Sequence, residues 1–397
     1  MAVAGSFSSI WSQLTEQDKA STAQTGNRPD AHLYFVGPRG SGKSTLLNRY
    51  IQPDRADTAK PTDGLEYTYI RKPASSMSDR KELAHLWEVS GASDLPQEIF
   101  GISNVLAPEQ VATAVIAVVV DLSQPAEALK SAVAWLQLVR TKLQGVYDWL
   151  EHKGSKLPEQ LRLRARKYVS SSHEDKDSIQ HLGISVVLVA AKEDTFRDVD
   201  TEARKFMAQS LRYVAHLNGA SLVYIGGLKA STAGIQSSSR TDTAADKAVL
   251  DNFRSMLSHM MFTGMDKRMK LRMEPQLDPL RPLMIPFGVD RFVDIGSPSG
   301  MASRDIGSQA ALDSWLAAAA RMFPITVQPV KAPHALDQEV YAEPGIDAVQ
   351  QELEAKWKAR QPVKSPTKAV TSSAISKASL TRLQQARRQT SSLHEQR

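Results

Sequence analysis

The sequence predicts an α/β fold, in which a mainly parallel sheet carries helices on both faces. Three observations lead to this prediction. Short apolar runs that are typical of buried strands alternate along the chain with helical patterns. A glycine-rich turn lies between the first such strand and the first helix. The longest apolar runs have about seven residues, whereas a membrane-crossing helix needs roughly 20, so no membrane span is predicted.

Composition argues against several other classes of protein. The 397 residues include no cysteine, which excludes disulfide frameworks and thiolate metal sites and suits a reducing, cytoplasmic setting. The net charge of +6 is uneven, because residues 351–397 hold ten basic and three acidic side chains whereas residues 1–350 hold 39 and 40. The neutral body gives no support for nucleic-acid binding. The basic tail is predicted to be solvated and partly disordered, or to contact an acidic surface.

The first elements are predicted in chain order as follows. Residues 1–30 are polar and form an N-terminal extension, with a short helix near residues 10–14. A strand at 31–37 leads through the glycine-rich turn into a helix at 43–51. The alternating segments that follow predict a strand pair, which covers residues 64–72 and 81–89.

The middle of the chain continues the alternation. Residues 113–122 are continuously apolar and predict a central strand that is buried on both faces. Helical spacing predicts a long helix at 126–150. The charged segment 151–182 is predicted to be a surface insertion, and 184–190 the next buried strand. A helix at 200–219 is expected to end at its terminal Asn-Gly pair.

The last part of the chain is less regular. Residues 221–227 are predicted to form the last strand and residues 243–262 a further helix. Residues 282–298 combine Gly and Pro with buried-looking apolar side chains. A helix at 346–360 carries an apolar stripe that packs on the body or docks on a partner helix, and a Pro/Ser/Lys linker follows. The stripe consists of Ile346, Val349, Leu353 and Trp357.

These elements predict four regions. An N-terminal extension covers residues 1–30, and the α/β domain covers 31–265, including the charged insertion at about 151–182. Residues 266–345 form an extension packed on this domain, and residues 346–397 hold the amphipathic helix and the basic tail.

The glycine-rich turn matches the phosphate-binding pattern G-x-x-x-x-G-K-S. Its glycines let the backbone N–H groups point at phosphate oxygens, and the helix that follows adds its positive end. Lys43 would neutralise the β and γ phosphates, and the Ser44 hydroxyl would bind Mg²⁺. The predicted nucleotide-binding residues of this loop are Gly37, Pro38, Arg39, Gly40, Ser41, Gly42, Lys43, Ser44 and Thr45.

Other positions bear on magnesium and on turnover. In Ras-like proteins a threonine at the position of Thr62 caps the magnesium, although an ordinary turn threonine explains it equally well. Glu88, in place of the Asp of D-x-x-G, would reach the metal through water. Ala92 stands where a glutamine normally orients the attacking water. Arg39 crowds the γ-phosphate or donates charge to it. We expect turnover to be slow or absent.

The base-recognition motif N-K-x-D should follow the fifth strand, where the sequence has Ala191-Lys192-Glu193-Asp194. Lys192 would lie over the base and Asp194 would accept from guanine, which favours GTP or GDP with Mg²⁺ over adenine nucleotides. The alternative is that this segment is an exposed charged loop. The bracing Asn is missing. Asp121, at the end of the central strand, either holds magnesium as in P-loop ATPases or caps the strand. The nine histidines show no spaced cluster and are interpreted as surface or core residues.

Four stretches together resemble the dynein light intermediate chain family. They are residues 34–50, 61–72, 85–91 and 282–298. The intact phosphate loop and the short C-terminal extension are more similar to the dynein 2 branch than to the dynein 1 branch.

The resemblance implies a Ras-like P-loop G-domain and a non-motor subunit rather than an enzyme. It implies that the chain binds and stabilises the dynein 2 heavy-chain tail beside other dynein 2 subunits. It also implies indirect contact with intraflagellar transport particles during retrograde transport. The expected locations are the cytoplasm, the cytoskeleton and the cilium or flagellum with its base. Nucleotide would then be mainly structural, and a GTPase switch that recruits effectors is the alternative.

Overall fold

The structure is a computed structural model of the whole chain, which divides into two units, Met1–Ile325 and Thr326–Arg397. The residues it describes are 29–53, 59–60, 62–72, 82–91, 105–227, 244–269, 274–298, 307–324 and 352. The helix predicted near residues 10–14, the helix predicted at 346–360 apart from residue 352, the linker after it, and Ala92 lie outside these ranges. The predicted domain boundaries stay predictions.

A single seven-stranded sheet organises the first unit, in the order β2-β3-β1-β4-β5-β6-β7. Its strands are β1 (Ala31–Val36), β2 (Leu65–Lys72), β3 (Glu82–Val89), β4 (Ala114–Asp121), β5 (Ser185–Ala191), β6 (Ser221–Ile225) and β7 (Met284–Ile285). β2 pairs antiparallel with β3, and β7 pairs antiparallel with β6, while all the other pairs are parallel. The predicted, mainly parallel sheet is confirmed.

Two apolar cores form on opposite faces of the sheet. The helices are α1 (Lys43–Ile51), α2 (Pro125–His152), α3 (Leu157–Tyr168), α4 (Glu193–Phe196), α5 (Thr201–Leu217), α6 (Ala244–Phe262), α7 (Phe292–Ile295) and α8 (Gln309–Met322). Residues of α2, α5, α7 and α8 build the core on one face, whereas α1 and α6 build the other. All eight residues of β4 are buried because this strand lies between the two layers. The predicted helices on both faces are confirmed. Across the described ranges, no helix is long and apolar enough to cross a membrane.

Three elements differ from the sequence-based expectation. Residues 151–182 do not simply lie on the surface, because α3 forms within them. It buries Leu161 in the core shared with α2, and its Ala165 is buried as well. β6 is not the last strand, since the two-residue β7 adds to its edge. α8 was not expected; the Ser308 side chain caps it by accepting from the Ala311 N–H, and Trp315 anchors it in the core.

A buried polar network joins α5 to the segments before β5 and after β7. Arg212 donates two hydrogen bonds to Asp290, at 2.8 and 2.6 Å, and both side chains are buried. Asp175 Oδ2 accepts from His216 Nε2 and from the Phe292 N–H, each at 2.8 Å. His173 accepts from the Asp175 N–H and donates to the Asp290 carbonyl.

This network corrects the view that the histidines are scattered. His173, Asp175 and His216 place their ligand-type atoms within 4.8 Å of one another, although His216 lies 41 positions after Asp175 in the sequence. Burial lowers the pKa of His216, and Asp175 opposes this shift, so the ring is a neutral Nε2–H donor at physiological pH. Because these groups already bond to the protein, we assign the cluster a structural role.

Candidate functional site

The phosphate loop sits where β1, β3 and β4 end, at the carboxyl edge of the sheet. Gly42 has φ 97° and precedes α1, so the chain turns there from the loop into the helix. A Cβ at Gly37 would lie 2.1 Å from the Val119 carbonyl oxygen of β4. Glycine at this position lets the loop pack directly against the central strand. The predicted strand–loop–helix context of the motif is therefore present.

Lys43 is turned back over the loop that precedes it. Its Nζ donates to the carbonyl oxygens of Gly37 and Pro38, each at 2.9 Å, and its side chain is largely buried. Burial lowers its pKa to about 8, and the nearby Glu88 opposes the shift. At pH 7 Lys43 is therefore a cation, placed inside the curve of the loop.

The three residues predicted for magnesium lie together beside Lys43. The Ser44 hydroxyl donates to Glu88 Oε1 at 2.6 Å. Thr62 donates to Glu66 Oε2 at 2.9 Å and lies near enough to Glu88 to affect its pKa. Burial raises the pKa of Glu88, while Ser44, Thr62 and Lys43 oppose the rise.

Two buried polar atoms at this site have no hydrogen-bond partner in the described part of the chain. A bound nucleotide with its metal ion could supply the missing partners. They are Ser41 Oγ in the loop and Glu88 Oε2, the second oxygen of the carboxylate that binds Ser44. Buried polar atoms are rarely left unpaired in native proteins. With Lys43 and the N-terminus of the nine-residue α1, these residues fit a phosphate chain with its magnesium ion.

The remaining loop residues surround this centre. Arg39 is exposed, and its backbone N–H donates to the Gly91 carbonyl at 3.2 Å. Gly40 is exposed with φ 75°. The Pro38 carbonyl also accepts from the Ser41 N–H at 3.3 Å, and Thr45 is half-buried in the first turn of α1.

The base-recognition residues follow β5 on the same edge of the sheet. Lys192 has φ 61° and precedes α4, and its Nζ donates to Asp121 Oδ2 at 2.6 Å. Asp121 Oδ1 accepts from the backbone N–H and the hydroxyl of Ser123, at 2.9 and 2.6 Å. Asp121 thus caps its strand and positions Lys192, which disfavours the ATPase reading of this residue.

The missing asparagine is replaced by a small buried side chain. Ala191 is buried, and its Cβ lies 4.0 Å from the position of a Cβ on Gly42. Ala191 therefore faces the phosphate loop at Gly42 with a methyl group, where the motif has an Asn side chain. A Cβ on Gly226, after β6, would lie 2.7 Å from the Asp194 N, so the sixth strand packs closely on the predicted guanine-binding turn.

Sequence reasoning missed two contacts in this site. Gly91 packs so tightly that a Cβ there would lie 2.3 Å from both Arg39 N and Gly37 O. The E-V-S-G segment was a signal for it, although spacing alone does not show which backbone it touches. The ion pair between Asp121 and Lys192 joins residues 71 positions apart, which only the parallel pairing of β4 and β5 brings together.

Comparisons with known proteins agree with one another. A family model described as dynein light intermediate chain matches residues 6–178. Cytoplasmic dynein 2 light intermediate chain 1 of Mus musculus is 31% identical over an alignment of 333 residues, and the match covers 81% of this chain and 86% of that protein. Its Homo sapiens counterpart is 29% identical over an alignment of 342 residues, with coverages of 84% and 88%.

A solved structure supports the fold. A crystal structure of the conserved domain of a dynein light intermediate chain matches with a TM-score of 0.50 and 14% identity. The match covers 74% of this chain and 98% of that one.

Proposed function

Since this chain belongs to the dynein light intermediate chain family, we propose that it is a non-motor subunit of cytoplasmic dynein 2 that binds and stabilises the heavy-chain tail. The observation that carries the proposal is the 31% identity to the mouse dynein 2 light intermediate chain over most of both chains. In this role it works beside other dynein 2 subunits and meets intraflagellar transport particles indirectly. It acts in retrograde transport, in the cytoplasm, on the cytoskeleton and in the cilium or flagellum and its base.

Nucleotide has a mainly structural role in this proposal. Lys43, Ser44 and Glu88 would hold the phosphates and magnesium of GTP or GDP, and Lys192 and Asp194 the base. A ligand that binds only the folded state stabilises it by about 2.7 kcal/mol at a hundredfold excess over Kd. Ala92 cannot orient a water molecule as glutamine does, so the chain is proposed not to be an enzyme.

The experiment is affinity purification of the full chain from a ciliated source cell, followed by mass spectrometry of its partners. We expect the dynein 2 heavy chain in the preparation. Denaturation of the same sample should release one guanine nucleotide per chain, and turnover of added GTP should be negligible. Recovery without heavy chain would refute the dynein role, whereas robust GTP hydrolysis would refute the structural role of the nucleotide.

A GTPase switch is the second candidate function. Two contacts favour it, that of Thr62 with Glu66 of β2 and that of Ser44 with Glu88, because they connect an edge strand to the phosphate site. Lys43→Ala and Ser44→Asn discriminate between the two. Unchanged heavy-chain binding by both folded variants would refute the switch, whereas binding that follows the nucleotide state would support it.

A further inference from the structure

A groove lies between α3 and the turn that follows α6. On α3 it is lined by residues spaced three or four apart, which share one helix face: Gln160, Leu163, Arg164, Lys167 and Tyr168. The opposite wall is formed by Met265, Asp266 and Arg268. The groove encloses about 460 Å³ and is open to solvent along its length. It lies away from the phosphate loop in sequence, and no proposed nucleotide contact uses it.

The lining of this groove is cationic. The lining contains three cations and one carboxylate: Arg164, Lys167 and Arg268 against Asp266. Within the described residues, none of the three cations forms an ion pair. Arg164 donates through Nη2 to the Ala112 carbonyl at 3.2 Å. Its Nε is buried and has no partner in the same part of the chain. The described part of the protein therefore gives Arg164 a neutral carbonyl and no ion pair, so the lining of the groove stays net positive.

The groove also offers apolar contact. Leu163 is 47% exposed at its rim, and Met265 lies buried in the opposite wall. From Gln160 to Lys167 the helix rises about 10 Å, at about 1.5 Å per residue. Arg164 and Lys167 are separated by about 4.5 Å of this rise, and Arg268 lies in the opposite wall. A single phosphate would leave the apolar side chain of Leu163 without a partner.

We propose that this groove binds an acidic segment of the partner polypeptide, with at least one apolar side chain placed against Leu163. Charge complementarity and the length of the groove favour such a segment over a small anion. The inference rests on the proposed function, because it assumes a polypeptide partner. It goes further by naming the surface of this chain that contacts the partner and the chemistry that the partner presents there.

The test uses a double charge reversal on exposed residues, Lys167→Glu with Arg268→Glu. The matched control makes the same charge change at Lys130 and Arg321, which are exposed on α2 and α8. Each full-length variant is tagged and co-expressed with the dynein 2 heavy chain, and the heavy chain recovered per tagged chain is measured at low and moderate salt. Thermal unfolding checks that every variant is folded.

We expect at least a tenfold weaker heavy-chain binding for the groove variant and less than a twofold change for the control. In the wild-type complex, carbodiimide should join the Lys167 amine to carboxylates of the partner. Equal binding by groove variant and control would overturn the inference while leaving the proposed function intact. If the groove variant kept heavy-chain binding but lost binding to phosphatidylserine vesicles, the groove would be a membrane-binding surface, and the inference would also be overturned. A wild-type chain without heavy chain would refute the proposed function, and this inference with it.

Discussion

A methyl group at Gly91 would collide with the backbone of the phosphate loop. In Gly91→Ala the new Cβ would lie 2.3 Å from Arg39 N, Gly37 O and Pro38 C, about 1.1 Å closer than the 3.4 Å at which ordinary contact begins. All three atoms belong to the main chain, so none of them can rotate away. The loop must move instead, and the hydrogen bond from the Arg39 N–H to the Gly91 carbonyl, at 3.2 Å, is then lost.

The expected cost follows from these two effects. Overpacking in a tightly packed site costs about 1–3 kcal/mol, and a lost hydrogen bond costs about 1 kcal/mol more. We therefore expect Gly91→Ala to lower the free energy of unfolding by about 2–4 kcal/mol. Gly40→Ala is the matched control, because a Cβ there meets nothing within 4 Å and only its φ of 75° is unfavourable. That conformation costs about 1 kcal/mol.

Urea unfolding of the full chain, followed by tryptophan fluorescence, measures both variants. Titration with a fluorescent guanine nucleotide measures the second consequence, since displacement of the loop should weaken binding at least tenfold in Gly91→Ala. Gly40→Ala is the control for stability only, because its methyl group meets no protein atom within 4 Å. If the two variants lose equal stability, the tight packing of Gly91 on the loop is not what the distances indicate, and the reasoning is refuted.

Three further predictions follow from the same geometry. Burial lowers the pKa of Lys43 to about 8, while an unfolded lysine titrates near 10.4. Between these two pH values the free energy of unfolding of the nucleotide-free chain should therefore rise with pH, and the affinity for nucleotide should fall. A Lys43→Met variant should show neither of these two pH dependences. Arg212→Ala leaves the buried Asp290 carboxylate unpaired and should cost about 3–5 kcal/mol in thermal or urea unfolding. Asp121→Asn removes the charge that holds Lys192, so competition assays should show reduced preference for guanine over adenine nucleotides.

Much of the fold is predictable from local patterns. β4 is recognisable because its apolar run is continuous, and α5 ends at Leu217, just before the Asn218-Gly219 stop signal. The phosphate loop is predictable because its chemistry requires glycines and a lysine at fixed spacing.

The missed elements depend on tertiary contacts or on weak signals. α3 is rich in charge, so the three residues that it buries, Pro158, Leu161 and Ala165, do not form an obvious apolar stripe. β7 has only two residues and exists because β6 offers an edge. α8 had a readable signal, the Ser308 cap before an alanine-rich segment with Trp315, although its neighbours gave no pattern to place it.

In the candidate site, the residues that belong to a motif are predictable from the sequence. The residues that hold them in place are not. Lys43, Ser44, Thr62 and Glu88 lie close together, as their motif positions indicate. Lys192 is held by Asp121, a residue that the base-recognition motif does not include. A contact of this kind uses a side chain from another strand, and only the assembled sheet shows which one.

The burial of Trp315 has a consequence for how the protein is made. Its ring lies among those of Phe206 and Tyr213 of α5, which are synthesised about a hundred residues earlier. While the ribosome adds the intervening residues, α5 keeps an aromatic surface that its own neighbours do not cover. Domains fold as units, and such transient apolar surfaces invite misassembly. The nascent chain should therefore depend on chaperone protection until the region around residue 320 has emerged.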